Sequence, residues 1–319
     1  MPLPTFHADT PGLLTTIQDS GRPGFAAQGV PVGGAVDAWA AQVANLLAGN
    51  PPGAASLEMT LTGPALRVLR DVTVAVCGAD LSPLVDDKPL PMWRTARLGA
   101  GQTLRFARRE SGARAYLAVA GGLSVPRVLG SRSTLLRAGF GGFGGHALRS
   151  GDVLEADAAP GLLPPAGRGL RPADIPRYPA LVALRVVLGP QDDLFSDSAR
   201  HAFLTAQYEV TAQSDRMGMR LQGPPLETLG GDAGALASEG VAFGCVQVAG
   251  SQPVLLMADC QTTGGYPVMG VVICADLSQA AQCVPGTMAV FQAVSLEEAQ
   301  NAARAQTRFL RALAGAVGR

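Results

Sequence analysis

The sequence predicts a mainly β protein with a few short helices, arranged as two halves, and three observations carry that expectation. Short apolar runs broken by Gly, Pro and Asp turns recur from end to end, whereas helical periodicity is confined to a few stretches. Hydrophobic residues make up 47% of the chain against 16% charged, ample for a sizeable core. Between Asp157 and Pro179 the composition shifts to a Pro- and Gly-rich segment, after which strand-like runs resume. The expected organisation is therefore an N-terminal unit over 1–157, a linker over 158–179 and a C-terminal unit over 180–319, with barrels or sandwiches as architectures.

Taken in order, the first feature is Thr16–Asp37, TIQDSGRPGFAAQGVPVGGAVD, where glycines at 21, 24, 29, 33 and 34 and prolines at 23 and 31 forbid a long helix or strand. Sparse charge and the apolar Ile17, Phe25, Val30 and Val32 argue for an ordered loop. It either builds part of a site or packs as a structural loop, with Gln18, Asp19, Ser20, Arg22 and Gln28 satisfying irregular backbone. Asp37 then caps a helix over Ala38–Leu47, whose Trp39, Val43, Leu46 and Leu47 share one face and which Gly49 ends. Strand-like runs follow at 66–69, 72–76, 103–107 and 115–121, with a hairpin around Asp86-Asp87-Lys88-Pro89.

Gly139–His146, GFGGFGGH, contains G-x-G-x-x-G but no helix pattern follows, which rejects a dinucleotide fingerprint in favour of a glycine turn lying against another backbone. In the second half, runs at 183–189, 208–213, 246–250, 253–259, 268–276 and 287–294 read as strands. A helix is expected over Asp192–Leu204, with Phe195, Ala199, Ala202 and Phe203 on one face. The capping box Ser295–Glu298 opens a closing helix. A short echo, LTGPAL at 61–66 and LQGPPL at 221–226, is in keeping with two related halves.

Composition removes several function classes. Net charge is zero, so no electrostatic footprint for nucleic acid exists. The one lysine, Lys88, lies in DDKPL, which excludes a P-loop in this chain. GxSxG and HExxH are absent, the three histidines are far apart, and none has metal-ligand spacing, so no metal site is expected. The five cysteines form no CxxC and sit in apolar surroundings, as small core residues do. No leader-like N-terminus or membrane-length apolar segment is seen, and a cytoplasmic protein is expected.

Two polar clusters remain. Gly130-Ser131-Arg132-Ser133-Thr134 places a guanidinium among hydroxyls after a strand, which suits either an oxyanion site or a turn capped by its own hydroxyls. Asp259-Cys260-Gln261-Thr262-Thr263-Gly264-Gly265-Tyr266-Pro267 puts polar groups at the end of a buried strand, followed by glycines whose amides could cradle an anion. Ser214-Asp215-Arg216 is a third contributor or a surface ion pair. Cys260 lacks an activating base.

Together, TIQDSGRPG, GVPVGGAVD, ANLLAGNP, LEMTLTGPAL, AYLAVAGG, LGSRST, RAGFGG, SDRMGMRLQG and QTTGGYP resemble, in this order, the allophanate hydrolase subunit 2 family, also called KipA-like or biotin-dependent carboxyltransferase-like. The resemblance spans about Gly12 to Ala299. It implies two cyclophilin-like β-barrel subdomains, one like carboxyltransferase subdomain A and one like subdomain B, and pairing with a separate subunit 1 (KipI-like) chain. It also implies three roles. They are ATP-dependent opening of 5-oxoproline to glutamate with a LamB/YcsF-like subunit, carboxyl transfer in a urea-carboxylase-like system with biotin carried on another chain, and regulation of a kinase inhibitor. The expected role is the first, with ATP as co-substrate of the complex.

Opening a lactam requires an anion clamp, a water-orienting carboxylate and an oxyanion cradle. The residues expected for these are Arg132 and Arg216 for anion binding, Asp37 or Asp215 as base, Thr262 with the Gly264 and Gly265 amides as cradle, and Tyr266 as proton donor. Gln18, Arg22, Ser133 and Gln261 complete the expected substrate contacts. Val268 and His146 depart from the family pattern, where basic residues and arginine are common, so substrate choice can differ at these positions.

Overall fold

The computed structural model describes residues 1–157, 164–229 and 236–317. The 158–163 part of the expected linker lies outside the described residues. The chain divides into two compact units, one of residues 1–22, 33–177 and the end of the chain from Phe309, the other of residues 23–32 and 178–308.

In the first unit, a six-stranded sheet runs in the order Val153–Ala156, Leu3–Thr10, Ala65–Val68, Thr103–Phe106, Pro83–Val85, Lys88–Pro89. A five-stranded sheet runs Leu14–Gln18, Ser56–Thr60, Ser111–Val119, Val72–Asp80, Thr95–Leu98. Strand periodicity explains the apolar runs at its centre. Val74, Val76, Ala115 and Leu117 point into a core shared with Phe6, Leu66 and Leu104, while Ala75, Cys77, Tyr116 and Ala118 point the opposite way. That second face is covered by α1 (Ala38–Leu47) through Val43, Ala44 and Leu47 and by Trp93. A strand buried on both faces reads as continuous hydrophobicity.

The expected hairpin is present, with Asp86 and Asp87 both in the left-handed region (φ 47° and 67°), as a type I′ turn requires.

Among the described residues, the strands of the first unit form these two sheets packed about one core rather than a single hydrogen-bonded ring. Both edges of its five-stranded sheet are occupied by loop backbone instead. Thr134 N donates to Ile17 O (2.9 Å) and Leu148 N to Thr15 O (2.8 Å) at one edge. At the other, Thr95 N donates to Arg168 O (2.7 Å) and Gly167 N to Thr95 O (2.9 Å). Residues 164–177, expected as linker, are therefore part of this unit's edge.

The second unit contains a closed barrel in the order Leu181–Leu188, Val268–Val272, Cys245–Ala249, Gln252–Leu256, Gly218–Gln222, Tyr208–Val210, Met288–Ala293, closing by parallel pairing of the last strand with the first. Closure leaves no open edge. Phe203 of α2 (Asp197–Thr205) stacks on Phe291 at 4.5 Å within its core. The helix begins later than its apolar spacing suggests. Ser196 caps it by accepting from Ala199 N (3.1 Å), and the preceding Asp192–Leu194 forms a 3-10 turn, leaving Phe195 extended.

After the short α3 (Leu277–Ala281), the chain ends in α4 (Leu296–Val317), opened by the reciprocal capping box: Ser295 N donates to Glu298 Oε2 (2.8 Å) and Glu298 N to Ser295 Oγ (3.2 Å). Its last turns pack in the first unit, where the Phe309 ring lies 5.8 Å from that of Trp39. No helix among the described residues is long and apolar enough to cross a membrane.

Candidate functional site

The expected site residues fall into a cluster in the first unit, a buried network beneath α1, and a cleft in the second unit.

In the first unit, Asp19 follows the Leu14–Gln18 strand and meets Ser131-Arg132-Ser133. Its Oδ1 accepts from Ser131 Oγ (2.6 Å), Ser133 Oγ (2.5 Å) and Gly21 N (2.8 Å), and its Oδ2 from Arg132 N (2.6 Å). Ser133 Oγ also accepts from Asp19 N (3.0 Å). The hydroxyls that suited an oxyanion are thus turned onto a carboxylate of the chain itself. Arg132 donates through Nε to Val125 O (3.1 Å) and reaches Asp157 Oδ2 at 3.5 Å. Arg22, buried, donates to Ser133 O and lies with its guanidinium 5.0 Å from the centre of the Phe140 ring, a cation–π geometry. Gln18, buried, donates to Thr16 Oγ1 (3.0 Å) and Thr134 O (3.2 Å).

The glycine turn lies against this cluster as anticipated. A Cβ on Gly141 would stand 2.1 Å from Ser133 O, and one on Gly145 2.1 Å from the Gly139 carbonyl, so only glycine permits the approach. Gln18, Arg22, Arg132 and Ser133 are gathered together here, as a latch between two loops. Asp19, which joins them, was expected among the side chains that satisfy the irregular loop backbone but not among the site residues. Its signal was the Asp-Ser-Gly spacing of an Asx turn.

Asp37 lies elsewhere, buried under α1. Its Oδ1 accepts from Ala40 N (2.9 Å) as the helix N-cap, and its N–H donates to Tyr116 Oη (2.8 Å). Tyr116 Oη in turn donates to Glu58 Oε2 (2.7 Å), which also accepts from Val36 N (2.9 Å). Burial, then the Glu58 carboxylate, pushes the Tyr116 phenol well above its ordinary pKa. This assigns Asp37 to holding the helix entry, as its capping role implies.

In the second unit, Arg216 and Asp259 form a buried bidentate ion pair, Nε to Oδ2 at 2.7 Å and Nη2 to Oδ1 at 2.8 Å, with side chains 7% and 8% exposed. The Arg216 charge is matched inside the fold. Its neighbour Asp215 is exposed and spends Oδ1 on the Met217 and Gly218 amides (2.7 and 3.1 Å).

Asp215 lines a cleft of about 400 Å³ together with Gln213, Arg220, Gln247, Gln261 and Tyr266, over a floor that includes Val254 and Leu256. Gln261 Nε2 donates to Gln247 Oε1 (3.3 Å), and Gln247 Nε2 donates to Tyr266 O (3.0 Å). Thr262 and Gly264, expected as the cradle, are not among the described residues that line this cleft. Thr262 O accepts from Val241 N (3.0 Å), and Thr263–Gly264 pairs with Glu239–Gly240 as a two-stranded ribbon. A Cβ on Gly264 would stand 2.6 Å from Gln247 Nε2, so this glycine lets the ribbon close over the buried amide. Gly265 follows at the ribbon's end, beside Leu236. Gln213, Arg220 and Gln247 were missed by motif reading. The available signal was polar residues at alternate positions inside strand runs such as MGMRLQ and CVQVA.

Cys260 is buried, and its thiol is pushed up to about 11 by desolvation first, then by Cys245 and Asp259. A thiol of that pKa is ionised to only ~10⁻⁴ at neutral pH. In the folded chain, iodoacetamide at pH 7.5 is expected to modify the exposed Cys274 well before Cys260, as read by peptide mass mapping. Rapid labelling of Cys260 would show that the burial is wrong. Chemically, the cleft offers amide donors and acceptors, one carboxylate, one phenol and one guanidinium around an apolar floor. That set suits a small polar organic molecule.

Comparison with known proteins places these observations. The sequence pattern of the family described as carboxyltransferase domain, subdomain A and B, matches residues 28–293. The chain is 39% identical over 310 residues to the C subunit of 5-oxoprolinase from Escherichia coli (strain K12), covering 95% of this chain and 96% of that protein. It is 36% identical to the corresponding 5-oxoprolinase component of Haemophilus influenzae, covering 92% and 93%. Among solved structures, the K. lactis urea amidolyase superposes with a TM-score of 0.92 at 28% identity, covering 98% of this chain and 20% of that one. The chain belongs to the carboxyltransferase subdomain A and B family.

Proposed function

We propose that this chain is the C subunit of an ATP-dependent 5-oxoprolinase complex that opens 5-oxo-L-proline to L-glutamate. The observation that carries the reading is the near end-to-end match to the E. coli protein, which leaves little of either chain unaligned. In this reading the chain works in the cytoplasm with a KipI-like and a LamB/YcsF-like subunit. ATP is a co-substrate of the complex and binds through groups other than a P-loop of this chain.

The second-unit cleft supplies the chemistry available here. Gln261 and Gln247 orient an amide, Asp215 positions water through Oδ2, and the exposed Tyr266 phenol delivers a proton to the leaving nitrogen. Arg216 and Asp37 are assigned to the scaffold.

The test is a pull-down of the tagged chain from its native extract, assayed for glutamate released from 5-oxoproline with and without ATP. ATP-dependent release is expected. Asp215→Asn, which keeps the Oδ1 turn, is expected to lower turnover about a hundredfold at unchanged complex yield. Co-purification of partners without glutamate release would sink the reading. The match to urea amidolyase favours carboxyl transfer as the second reading. It requires biotin on a co-purifying chain, which a streptavidin blot of the same eluate detects.

A further inference from the structure

We infer that Arg220 makes the second-unit cleft a site for a small organic carboxylate, with the carboxylate on the guanidinium and a neutral amide end toward Gln247 and Gln261. The inference rests on the reading of this cleft given above and names the class of molecule that it takes.

Three observations carry it. First, the register aligns the two polar ends. Arg220 of the Gly218–Gln222 strand pairs with Val254, and Val254 pairs with Gln247 of the Cys245–Ala249 strand. The three side chains therefore form one row across three neighbouring strands. Neighbouring strands lie about 4.8 Å apart, so the two backbone positions stand roughly 10 Å apart with an apolar residue between them.

Second, the row lines the cleft, with Arg220 exposed at one end and Gln247 buried at the other. Burial alternates along the strand, with Met219 and Leu221 inside and Arg220 and Gln222 outside, and Arg220, Val254 and Gln247 all line the cavity.

Third, charge accounting singles out Arg220. Arg216, next along the chain, is held by Asp259. Among the described residues Arg220 has a backbone bond from its N–H to Ser214 Oγ (3.0 Å) and no hydrogen bond or ion pair from its guanidinium. Among those residues it is also the one cationic side chain lining this cleft. At the other end, Gln247 is fixed by its bond to Tyr266 O and by the donation from Gln261, so the amide pair presents the Gln261 carbonyl to a ligand N–H.

A guanidinium binds a carboxylate through two parallel N–H bonds, which a lysine or glutamine cannot reproduce. The Val254 and Leu256 floor accommodates a short aliphatic body between the two ends. Arg220 also borders a neighbouring cleft lined by Gln222 and Gln252. That second cleft lacks the opposing Gln247–Gln261 pair, so the row favours the first.

The experiment is ligand-observed NMR on the full chain, with 5-oxo-L-proline and N-acetylglycine as carboxylate probes and pyrrolidin-2-one as the uncharged counterpart. Wild type is expected to bind both carboxylates more tightly than pyrrolidin-2-one. R220Q is expected to weaken the carboxylates at least tenfold and leave pyrrolidin-2-one unchanged, with R220K in between. Absence of carboxylate binding, or equal binding by R220Q, overturns the inference. The complex assay separates this outcome from the functional reading. An active complex whose KM for 5-oxoproline is unmoved by R220Q leaves the function standing and removes Arg220. Arg220-dependent carboxylate binding by a chain whose complex releases no glutamate does the reverse.

Discussion

Asp19→Ala is expected to destabilise the first unit by about 3–5 kcal/mol, a large share of the 5–15 kcal/mol typical of a folded domain. The carboxylate accepts from two fully buried hydroxyls, Ser131 and Ser133, and from the Gly21 and Arg132 amides. Alanine strands all four donors where neighbouring backbone leaves little room for water. Each stranded buried donor costs roughly 1–3 kcal/mol, discounted where water reaches the partly exposed side of Asp19. Asp19→Asn is expected to cost about half as much, since its oxygen still serves the serines while its NH₂ opposes the Arg132 amide. Urea denaturation followed by tryptophan fluorescence measures both, because Trp39 and Trp93 lie in this unit. Equal midpoints for wild type and Asp19→Ala would show that the two loops are held by other contacts.

Arg216→Met alone, or Asp259→Leu alone, is expected to cost about 3–5 kcal/mol, because each leaves a charge buried without its partner. The double variant Arg216→Met with Asp259→Leu replaces both charges with apolar groups of similar size. It is expected to recover most of the loss, as buried ion pairs net little against hydrophobic isosteres. The cycle therefore returns a large favourable coupling between the two residues, read from the same denaturation curves. It also separates two roles for Arg216. If the arginine serves only the fold, the double variant regains turnover in the assembled complex along with its stability. Restored stability without turnover would put Arg216 back among the substrate contacts.

Much of the fold was legible because its signals are local. The Asp37 cap, the Ala38–Leu47 helix and the Ser295–Glu298 box appear where expected, since each depends on a few adjacent side chains bonding nearby amides. The Asp86-Asp87 turn was legible for the same reason. The start of α2 was misplaced because Phe195 continues the apolar spacing although Ser196 is the cap. The edges of the five-stranded sheet in the first unit were not legible either, since Arg168 and Thr134 backbone arrives from distant sequence to occupy them.

The candidate site divides along the same line. Residue types alone selected Arg132, Ser133, Arg216, Gln261 and Tyr266 as polar groups in glycine-rich surroundings. Charge accounting between distant residues decided which of them are already matched inside the fold. Asp19 occupies the Ser131–Ser133 hydroxyls across more than a hundred residues of chain, and Asp259 neutralises Arg216 from the adjoining strand end.

By itself, the sequence determined a mainly β protein, its family, its caps and its tight turns, all set by neighbours along the chain. Tertiary structure alone decided that the strands of the second unit pair into a closed barrel while those described in the first form two sheets, and that Arg220 rather than Arg216 presents its charge to a cleft. A guanidinium beside a buried carboxylate is already satisfied, whereas one on the outer face of a sheet is not. The approach of Asp259 from a distant part of the chain to Arg216, with the outward position of Arg220 on its strand, determines which arginine is which.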